Sequence, residues 1–276
     1  MNTVKVMVNG LPGNVATIIA KNIAKDSRFN LLPQSLTGPD IAEKTIDIEG
    51  IAVALALPRD HIKTLEAMLE KDGPFIIVDY SHPSAVNPNA QLYCKIGIPF
   101  VMGTTGGDRD ALIKTVQASS IPAVIAPNMA KQIVGFQAMM EYAANTFPGL
   151  FEGYSLTIEE SHQNGKADTS GTAKAMVGYF NKMGIPFEAS QIAQLRDPQR
   201  QKDELGVPEE FLGGHGWHTY TLISPDETVK FAFTHNVNGR EIYTGGTADA
   251  IVYLSQKAAQ GEKGRVFSMM DVLKGV

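Results

Sequence analysis

Between Glu160 and Met176 the chain reads ESHQNGKADTSGTAKAM, which gathers an imidazole, an ammonium, a carboxylate and several hydroxyls into one short run. An unperturbed imidazole such as that of His162 titrates at about 6.5 and so can donate a proton near neutrality. Lys166 supplies a compact positive charge. Ser170, Gly171 and Thr172 stand where a helical segment begins, and there unpaired N–H groups and the positive end of the helix dipole favour an anion. The set suits a small anionic molecule that must be gripped and then protonated.

Each residue also has a plainer account. A His or Lys in a polar loop is usually solvated, and Ser170-Gly171-Thr172 makes a good helix cap by itself. Asp168 fits a loop-shaping role better than a catalytic one. His215, His218 and His235 read as structural residues, and their spacing makes no zinc site, so no metal is expected. Cys94, the one cysteine, has no partner for an internal disulfide and reads as a small packed hydrophobe.

A second cluster opens the chain. Gly10-Leu-Pro-Gly13-Asn-Val-Ala16 follows an apolar strand pattern and leads into a helix, the arrangement in which glycines let the backbone approach a pyrophosphate. Gly10, Pro12, Gly13, Asn14 and Val15 are the candidate residues of that turn. After the second strand come Ser35, Thr37 and Gly38 with no acid before Asp40, so the sequence lacks the carboxylate that would hold a ribose diol. A 2′-phosphate is permitted there, held by hydroxyls and N–H groups with Lys44 nearby, and NADPH is expected ahead of NADH. Later strand ends carry Tyr80 and Ser81, Gly103, Thr104 and Thr105, and Pro127 and Asn128. Small and hydroxylated residues at several strand ends on one sheet edge suit a flat nicotinamide ring.

The elements that must position these groups follow from hydrophobic periodicity. Up to about residue 126, the runs VKVMV, NLLPQSL, IAVALAL, FIIVDY, IPFVMG and IPAVIA alternate with helical stretches such as VATIIAKNIAK and HIKTLEAMLEK. Strands apolar on both faces and separated by helices predict a doubly wound parallel sheet. KQIVGFQAMMEYAANTF is a long helix leading to a second half, where GYSLTIEES, WHTYTLIS and TVKFAFTHNV alternate like strands with one covered face. That half is expected to be α+β. LRDPQRQKDELGVPEEFLGG, charged and aperiodic, reads as a long loop.

With 276 residues and 43% apolar composition the chain can form two domains with real cores. A net charge of −5 without basic runs excludes a nucleic-acid partner, and no stretch has the unbroken apolar length of a membrane span. The N-terminus enters a strand pattern directly, so a cytoplasmic protein is expected, or a plastid one if a transit peptide has been removed.

ESHQNGKADTSGTAKAM, the GTTG at Gly103 to Gly106, the glycine turn and VFSMMDVL together resemble the dihydrodipicolinate reductase family from about Val4 to Leu273. The resemblance implies hydride transfer from NADPH or NADH to dihydrodipicolinate, or to its 4-hydroxy precursor after loss of water, in lysine and diaminopimelate biosynthesis. It implies that His162 is the general acid and that Lys166 faces the substrate. Ser170, Gly171 and Thr172 would hold a substrate carboxylate, with Thr105 also near the substrate. Asn128 and Arg240 would lie on the cofactor side, and the C-terminal sheets would build a homodimer or homotetramer. The stretch departs from the common bacterial pattern: Gln163 replaces the second of two adjacent histidines, a residue is missing between Asp168 and Ser170, and Asn14 stands in place of an arginine. ESHQ with KADTSGTAKA and NMAKQIV looks more like the plant-type branch of the family, and the Gln163 amide can still hydrogen-bond a substrate carboxylate.

The expected architecture is an α/β protein. Residues 1–129 with 241–276 form a Rossmann domain built on the parallel sheet, and 130–240 form an α+β substrate and oligomerisation domain built on a mixed sheet. Two other readings stay open: another amino-acid dehydrogenase of this layout, such as an aspartate dehydrogenase, and an NADP-binding sensor that has lost turnover.

Overall fold

The computed structural model describes residues 3–275. Strands and helices alternate through β1 (Val4–Asn9), α1 (Asn14–Lys25), β2 (Phe29–Leu31), β3 (Gln34–Leu36), β4 (Thr45–Ile48), β5 (Ile51–Ala56), α2 (His61–Asp72), β6 (Ile76–Asp79), α3 (Val86–Ile96), β7 (Phe100–Met102), α4 (Arg109–Gln117) and β8 (Ala123–Ile125). The helix α5 (Lys131–Thr146) leads to β9 (Ser155–His162), α6 (Gly171–Lys182), β10 (Ala193–Leu195), α7 (Pro198–Asp203), β11 (His215–Ile223) and β12 (Lys230–Asn238). Then follow α8 (Ile242–Ala259), β13 (Val266–Phe267) and α9 (Met269–Gly275). The chain divides into two compact units: residues up to Val134 with those from Glu241 onward, and Gly135–Arg240.

In the first unit six strands form an all-parallel sheet in the order β13-β8-β7-β6-β1-β2. Alternate residues of each strand feed opposite cores. Val6, Val8, Ile76 and Val78 pack with Ile19 and Ile23 of α1 and Ile251 and Leu254 of α8. Met7, Ile77, Phe100 and Met102 pack with Leu65 of α2, Tyr93 of α3 and Leu112 of α4. Helices on both faces explain why these strands are continuously apolar. Fully burying a side chain such as Phe100 or Ile77 contributes roughly 1.5–3 kcal/mol.

Two sequence readings need correction here. NLLPQSL is not one strand: Pro33 supplies no N–H, and the chain splits there into β2, on the edge of the parallel sheet, and β3, which pairs with β5 in a separate three-stranded sheet ordered β3-β5-β4. IAVALAL, as β5, therefore belongs to that small sheet. Its hairpin partner β4, unrecognised in the sequence, joins it antiparallel through Glu49 and Gly50, both at positive φ, as a two-residue turn demands.

In the second unit β10-β9-β11-β12 form a mixed sheet, parallel between β10 and β9 and antiparallel elsewhere. Leu156, Ile158, Tyr220 and Leu222 pack with Met176, Val177 and Phe180 of α6. The segment read as a long loop contains α7, which starts with Asp197 accepting from Arg200 N–H and Pro198 in the first turn. That pairing is a helix-start signal the sequence reading passed over.

Helix α8 packs so closely that Cβ added at Gly246 would lie 2.0 Å from the Met129 carbonyl oxygen. At neighbouring Gly245 the same atom would meet Lys131 Cε at 3.6 Å, an ordinary contact. Gly246→Ala is expected to destabilise the protein by about 1–3 kcal/mol through overpacking. Gly245→Ala should stabilise it by about 0.5–1 kcal/mol through helix propensity. Urea unfolding of the two variants checks the contrast, and equal behaviour would contradict the packing argument.

Candidate functional site

The chain reverses its direction of sheet growth at β1, with β2 on one side and β6 on the other, and ligands of such sheets bind beyond the strand ends at that point. Gly10, just past β1, has φ +100°, and a Cβ there would sit 2.5 Å from the Tyr80 carbonyl oxygen, so only glycine fits. Helix α1 starts at Gly13 with no side-chain cap and no acid in its first turn, which leaves its N–H donors available for an anion. Pro12 and Val15 are half-buried around this turn, while Gly13 and Asn14 are exposed.

The Ser35 and Thr37 hydroxyls do not face outward as the sequence reading supposes. Both residues are buried. Ser35 Oγ accepts from Leu11 N–H at 3.4 Å, and Thr37 Oγ1 donates to the Leu11 carbonyl at 2.6 Å. They hold the glycine turn in place. Gly38, in contrast, has open space around its Cα, and Lys44 is exposed.

A polar network fixes the neighbouring strand ends. Asp79 is fully buried and accepts from Ser81 N–H and Oγ–H, Asn89 Nδ2, Tyr93 Oη–H and Thr104 Oγ1. Asn9 donates to Tyr93 Oη and accepts from Leu36 N–H, which ties β1 to β3. Above this layer the Tyr80 ring lies against Gly103, where a Cβ would come within 2.5 Å of it, and its hydroxyl pairs with Thr247 Oγ1 at 2.6 Å. Thr105 and Pro127 are exposed, and Asn128 Oδ1 accepts from Ala130 N–H. The structure thus collects the candidate cofactor residues of the first unit at the carboxyl ends of β1, β3, β6, β7 and β8. Arg240 falls in the second unit, beyond β12 and near Gly214.

In the second unit His162 ends β9 and lies over Gly216, where a Cβ would press within 3.0 Å of its ring. Its Nδ1–H donates to the His215 carbonyl at 3.1 Å. That assigns the proton of the neutral ring to Nδ1 and leaves Nε2, which is buried without a hydrogen-bond partner, as the atom that gains and gives a proton. His215 is itself oriented, donating Nδ1–H to the Phe211 carbonyl and accepting from Ser161 Oγ–H at 2.8 Å.

The loop that carries Gln163 and Lys166 is organised by Glu160 and Arg196. Glu160 is fully buried and forms an ion pair with Arg196, while its Oε2 accepts from Ser170 N–H at 3.0 Å. Arg196 Nε donates to the Lys166 carbonyl at 3.0 Å. Lys166 Nζ pairs with Asp168 at 2.7 Å, so Asp168 anchors the lysine besides bonding its own backbone. Gln163 is half-buried. Ser170 caps α6, its Oγ accepting from Thr172 N–H at 3.2 Å, with Gly171 exposed at the helix start.

Electrostatics follow from this packing. Burial, His218 and Arg196 bring the His162 imidazole down to about 4, against the opposing pull of Glu160 and the His215 carbonyl. Burial would raise Glu160, but His218, Arg196 and the Ser170 N–H outweigh it and hold the carboxyl at about 2. His235 is lowered to about 4 by burial and by His218 and His162.

A glycine turn at the switch point of a parallel sheet, with a histidine, a lysine and a helix start on a second sheet, defines a nicotinamide-dependent oxidoreductase of two-domain layout. The family models for dihydrodipicolinate reductase match residues 4–129 for its N-terminus and 133–273 for its C-terminus. The chain is 46% identical over 273 residues to 4-hydroxy-tetrahydrodipicolinate reductase 2, chloroplastic, of Arabidopsis thaliana, covering 99% of this chain and 78% of that protein. It is 43% identical over 269 residues to the probable 4-hydroxy-tetrahydrodipicolinate reductase 2, chloroplastic, of Oryza sativa subsp. japonica, covering 98% and 82%. Among solved structures, the dipicolinate-bound dihydrodipicolinate reductase from Paenisporosarcina sp. TG-14 shares the fold, with a TM-score of 0.67, 17% identity and coverage of 98% and 99%. The chain belongs to the dihydrodipicolinate reductase family, the NAD(P)H-dependent reductases of lysine and diaminopimelate biosynthesis.

Sequence reasoning missed Glu160, Arg196, Gly216 and His218 as parts of this site. The sequence groups His218 with the structural His215 and His235, yet it is His162 and Glu160, on the adjacent strand, that it meets: one ligating atom from each of these three lies within 4.8 Å of the others. Period-two alternation along SLTIEESH and HGWHTYTLI puts Glu160, His162 and His218 on one face once the register is known. The sequence alone does not give that register.

Lowered pKa values make stability pH-dependent with a definite sign. The unfolded chain protonates histidine from about 6.5 downward, whereas folded His162 and His235 resist until about 4. Their contribution is complete above 6.5 and is lost as pH falls toward 4, and the Glu160 contribution is lost only below the unfolded carboxyl range, toward 2. Urea midpoints measured from pH 7.5 to 4.5 should therefore decline, and His235→Asn should flatten the decline. An unchanged slope in that variant would contradict the assignment.

Proposed function

We propose that this chain is a 4-hydroxy-tetrahydrodipicolinate reductase, reducing dihydrodipicolinate or its 4-hydroxy precursor to tetrahydrodipicolinate with NADPH in preference to NADH. The observation that carries the reading is His162, with Nε2 buried and unpartnered at the end of the strand that leads into the Lys166 loop and the α6 start. An aspartate dehydrogenase or a sensor protein gives no reason for that set.

The first unit is the cofactor domain. Its uncapped α1 start and glycine turn suit the pyrophosphate, Gly103, Thr104 and Thr105 the nicotinamide, and Gly38 with Lys44 the 2′-phosphate. NAD(P)H, when bound, supplies the hydride. The second unit holds the dianionic substrate. One carboxylate meets the N–H at Gly171, the Thr172 N–H being held by Ser170 Oγ, and Lys166 exchanges Asp168 for the other.

Substrate charge also loads the acid. His162 is neutral at pH 7 when no anion faces it, because burial and its cationic neighbours oppose protonation. Two carboxylates arriving near Nε2 favour the imidazolium. The proton is then in place when the reduced ring becomes an enamine-like anion that must take one up. Gln163 donates its amide to a carboxylate. Assembly as a homodimer or homotetramer through the second unit's sheet fits the exposed edge strand β12. The chloroplastic names of the plant relatives suit a plastid location, and a cytoplasmic one fits the sequence equally well.

Cofactor titration tests the first unit. NADPH should bind at least as tightly as NADH, and NADH binding more than about tenfold tighter would refute the preference. Thr37→Val removes the hydrogen bond to Leu11 and should weaken both cofactors together by about fivefold, roughly 1 kcal/mol, with their ratio unchanged. A shift in that ratio would place the hydroxyl on the cofactor instead.

Steady-state kinetics with freshly prepared dihydrodipicolinate test the second unit. His162→Ala should lower kcat by on the order of 10²–10⁴ with NADPH binding intact. Lys166→Ala should raise KM and lower kcat, because its charge is felt by the bound dianion and more strongly by the developing anion. Wild-type turnover in His162→Ala would remove the imidazole from the chemistry.

A further inference from the structure

The sheet face that carries His162 holds more ionisable groups than gripping and protonating one molecule requires. His218 is 4% exposed, and neither of its ring nitrogens has a hydrogen-bond partner. In the strand register it stands opposite both Glu160 on β9 and His235 on β12. Its Nε2 is 3.7 Å from Glu160 Oε2, and its ring centre is 5.1 Å from that of His162 in an edge-on arrangement.

One donor atom each from Glu160, His162 and His218 fall within 4.8 Å of one another. A metal ion would find the carboxylate already committed to Arg196 and to the Ser170 N–H, with the guanidinium repelling it. A proton needs only acid and base groups within direct reach or one water apart. The other polar groups around His218 are Arg196 beyond Glu160, and Tyr220 and His235, whose Oη and Nε2 lie 3.4 Å apart. From α5 the nearest ring is the uncharged Phe136, packed on His235.

We propose that His218, held against Glu160, is a positioning residue that resupplies His162 with the proton consumed in each turnover. The proposal rests on His162 as the donor. In the cycle, protonated His218 passes a proton to His162 Nε2 and becomes neutral. His162 gives that proton to the product carbon, whose enamine electron pair forms the new C–H bond. Solvent then returns a proton to His218, and the Glu160 carboxylate balances its charge. Gln163, where the bacterial pattern has a second imidazole, cannot carry a proton in this way, and among the described residues His218 is the imidazole set against a carboxylate.

The test compares His218→Gln and His218→Phe with the wild-type protein and with His162→Ala. Both His218 variants should lose roughly 10–100-fold in kcat while KM for substrate and cofactor stays within about threefold. The solvent isotope effect on kcat should rise, and the fall in rate at high pH should begin at lower pH. If His162→Ala is inactive while His218→Gln keeps wild-type kcat and isotope effect, this inference alone fails. Wild-type turnover in His162→Ala overturns the donor assignment beneath it. A loss in both His218 variants that follows a lowered Tm, with pH profile and isotope effect unchanged, overturns the inference in favour of packing. Chelation by EDTA should leave turnover intact, and a loss restored by Zn²⁺ would overturn it in favour of a metal centre.

Discussion

An ionised carboxylate removed from water costs several kcal/mol unless charge and hydrogen bonds surround it. Glu160 is such a group, fully buried, and the second unit's site is arranged around meeting its needs. Arg196 satisfies one oxygen and, with its remaining donors, holds the carbonyls of Lys166 and Asp168. The other oxygen takes the Ser170 N–H, which fixes where α6 begins. The position of the lysine loop and the start of α6 are therefore both set by one side chain on β9. His162 sits two residues along the same strand, on the same face. Loop and histidine thus share a reference frame, which a loop on a rigid strand end needs if it is to place charges within fractions of an ångström.

The first unit solves a similar problem with a different group. Asp79 and Asn9, both fully buried, stand at the ends of β6 and β1, beside the place where the sheet changes its direction of growth. Their hydrogen bonds reach Ser81, Thr104, Asn89, Tyr93 and the backbone of β3. Several strand ends are locked to one another beneath the surface that presents Gly10, Tyr80 and Gly103. Buried polar networks of this kind are costly when partly satisfied and rigidifying when complete. The glycine turn gains from that rigidity, since Gly10 and Gly13 carry no side chains to brace it. Ser35 and Thr37 supply the bracing from β3.

What the sequence disclosed follows from how local each signal is. The doubly wound sheet was legible because strands such as VKVMV and FIIVDY are apolar on both faces and alternate with amphipathic helices, a pattern confined to short windows. His162, Lys166 and Ser170 to Thr172 were legible because they lie within one run. The small β3-β5-β4 sheet was not, since its strands look no different from those of the main sheet and only the break at Pro33 and the Glu49-Gly50 turn set them apart. Arg196 lies in a charged stretch that reads as solvated, and its role depends on a parallel pairing of β10 with β9 that no local pattern announces. The direction of the Ser35 and Thr37 side chains was misjudged for the same reason. Period two places them on one face but does not say which face is inward.

The structural and functional accounts of the Ser-Gly-Thr run are not alternatives. Ser170 Oγ is already spent on the Thr172 N–H, and the Ser170 N–H on Glu160. In the proposed binding, a carboxylate approaching α6 would thus meet the rest of the helix start and Lys166, not the capping hydroxyl. Lys166 is the exchangeable partner in that proposal. Its bond to Asp168 is made at the surface, where Asp168 is 75% exposed and water screens the pair, so an incoming anion can replace it with little loss. Arg196, by contrast, is tied to a carboxylate that cannot leave. Of the two cations near the loop, one is tied to a fully buried carboxylate and the other to an exposed one.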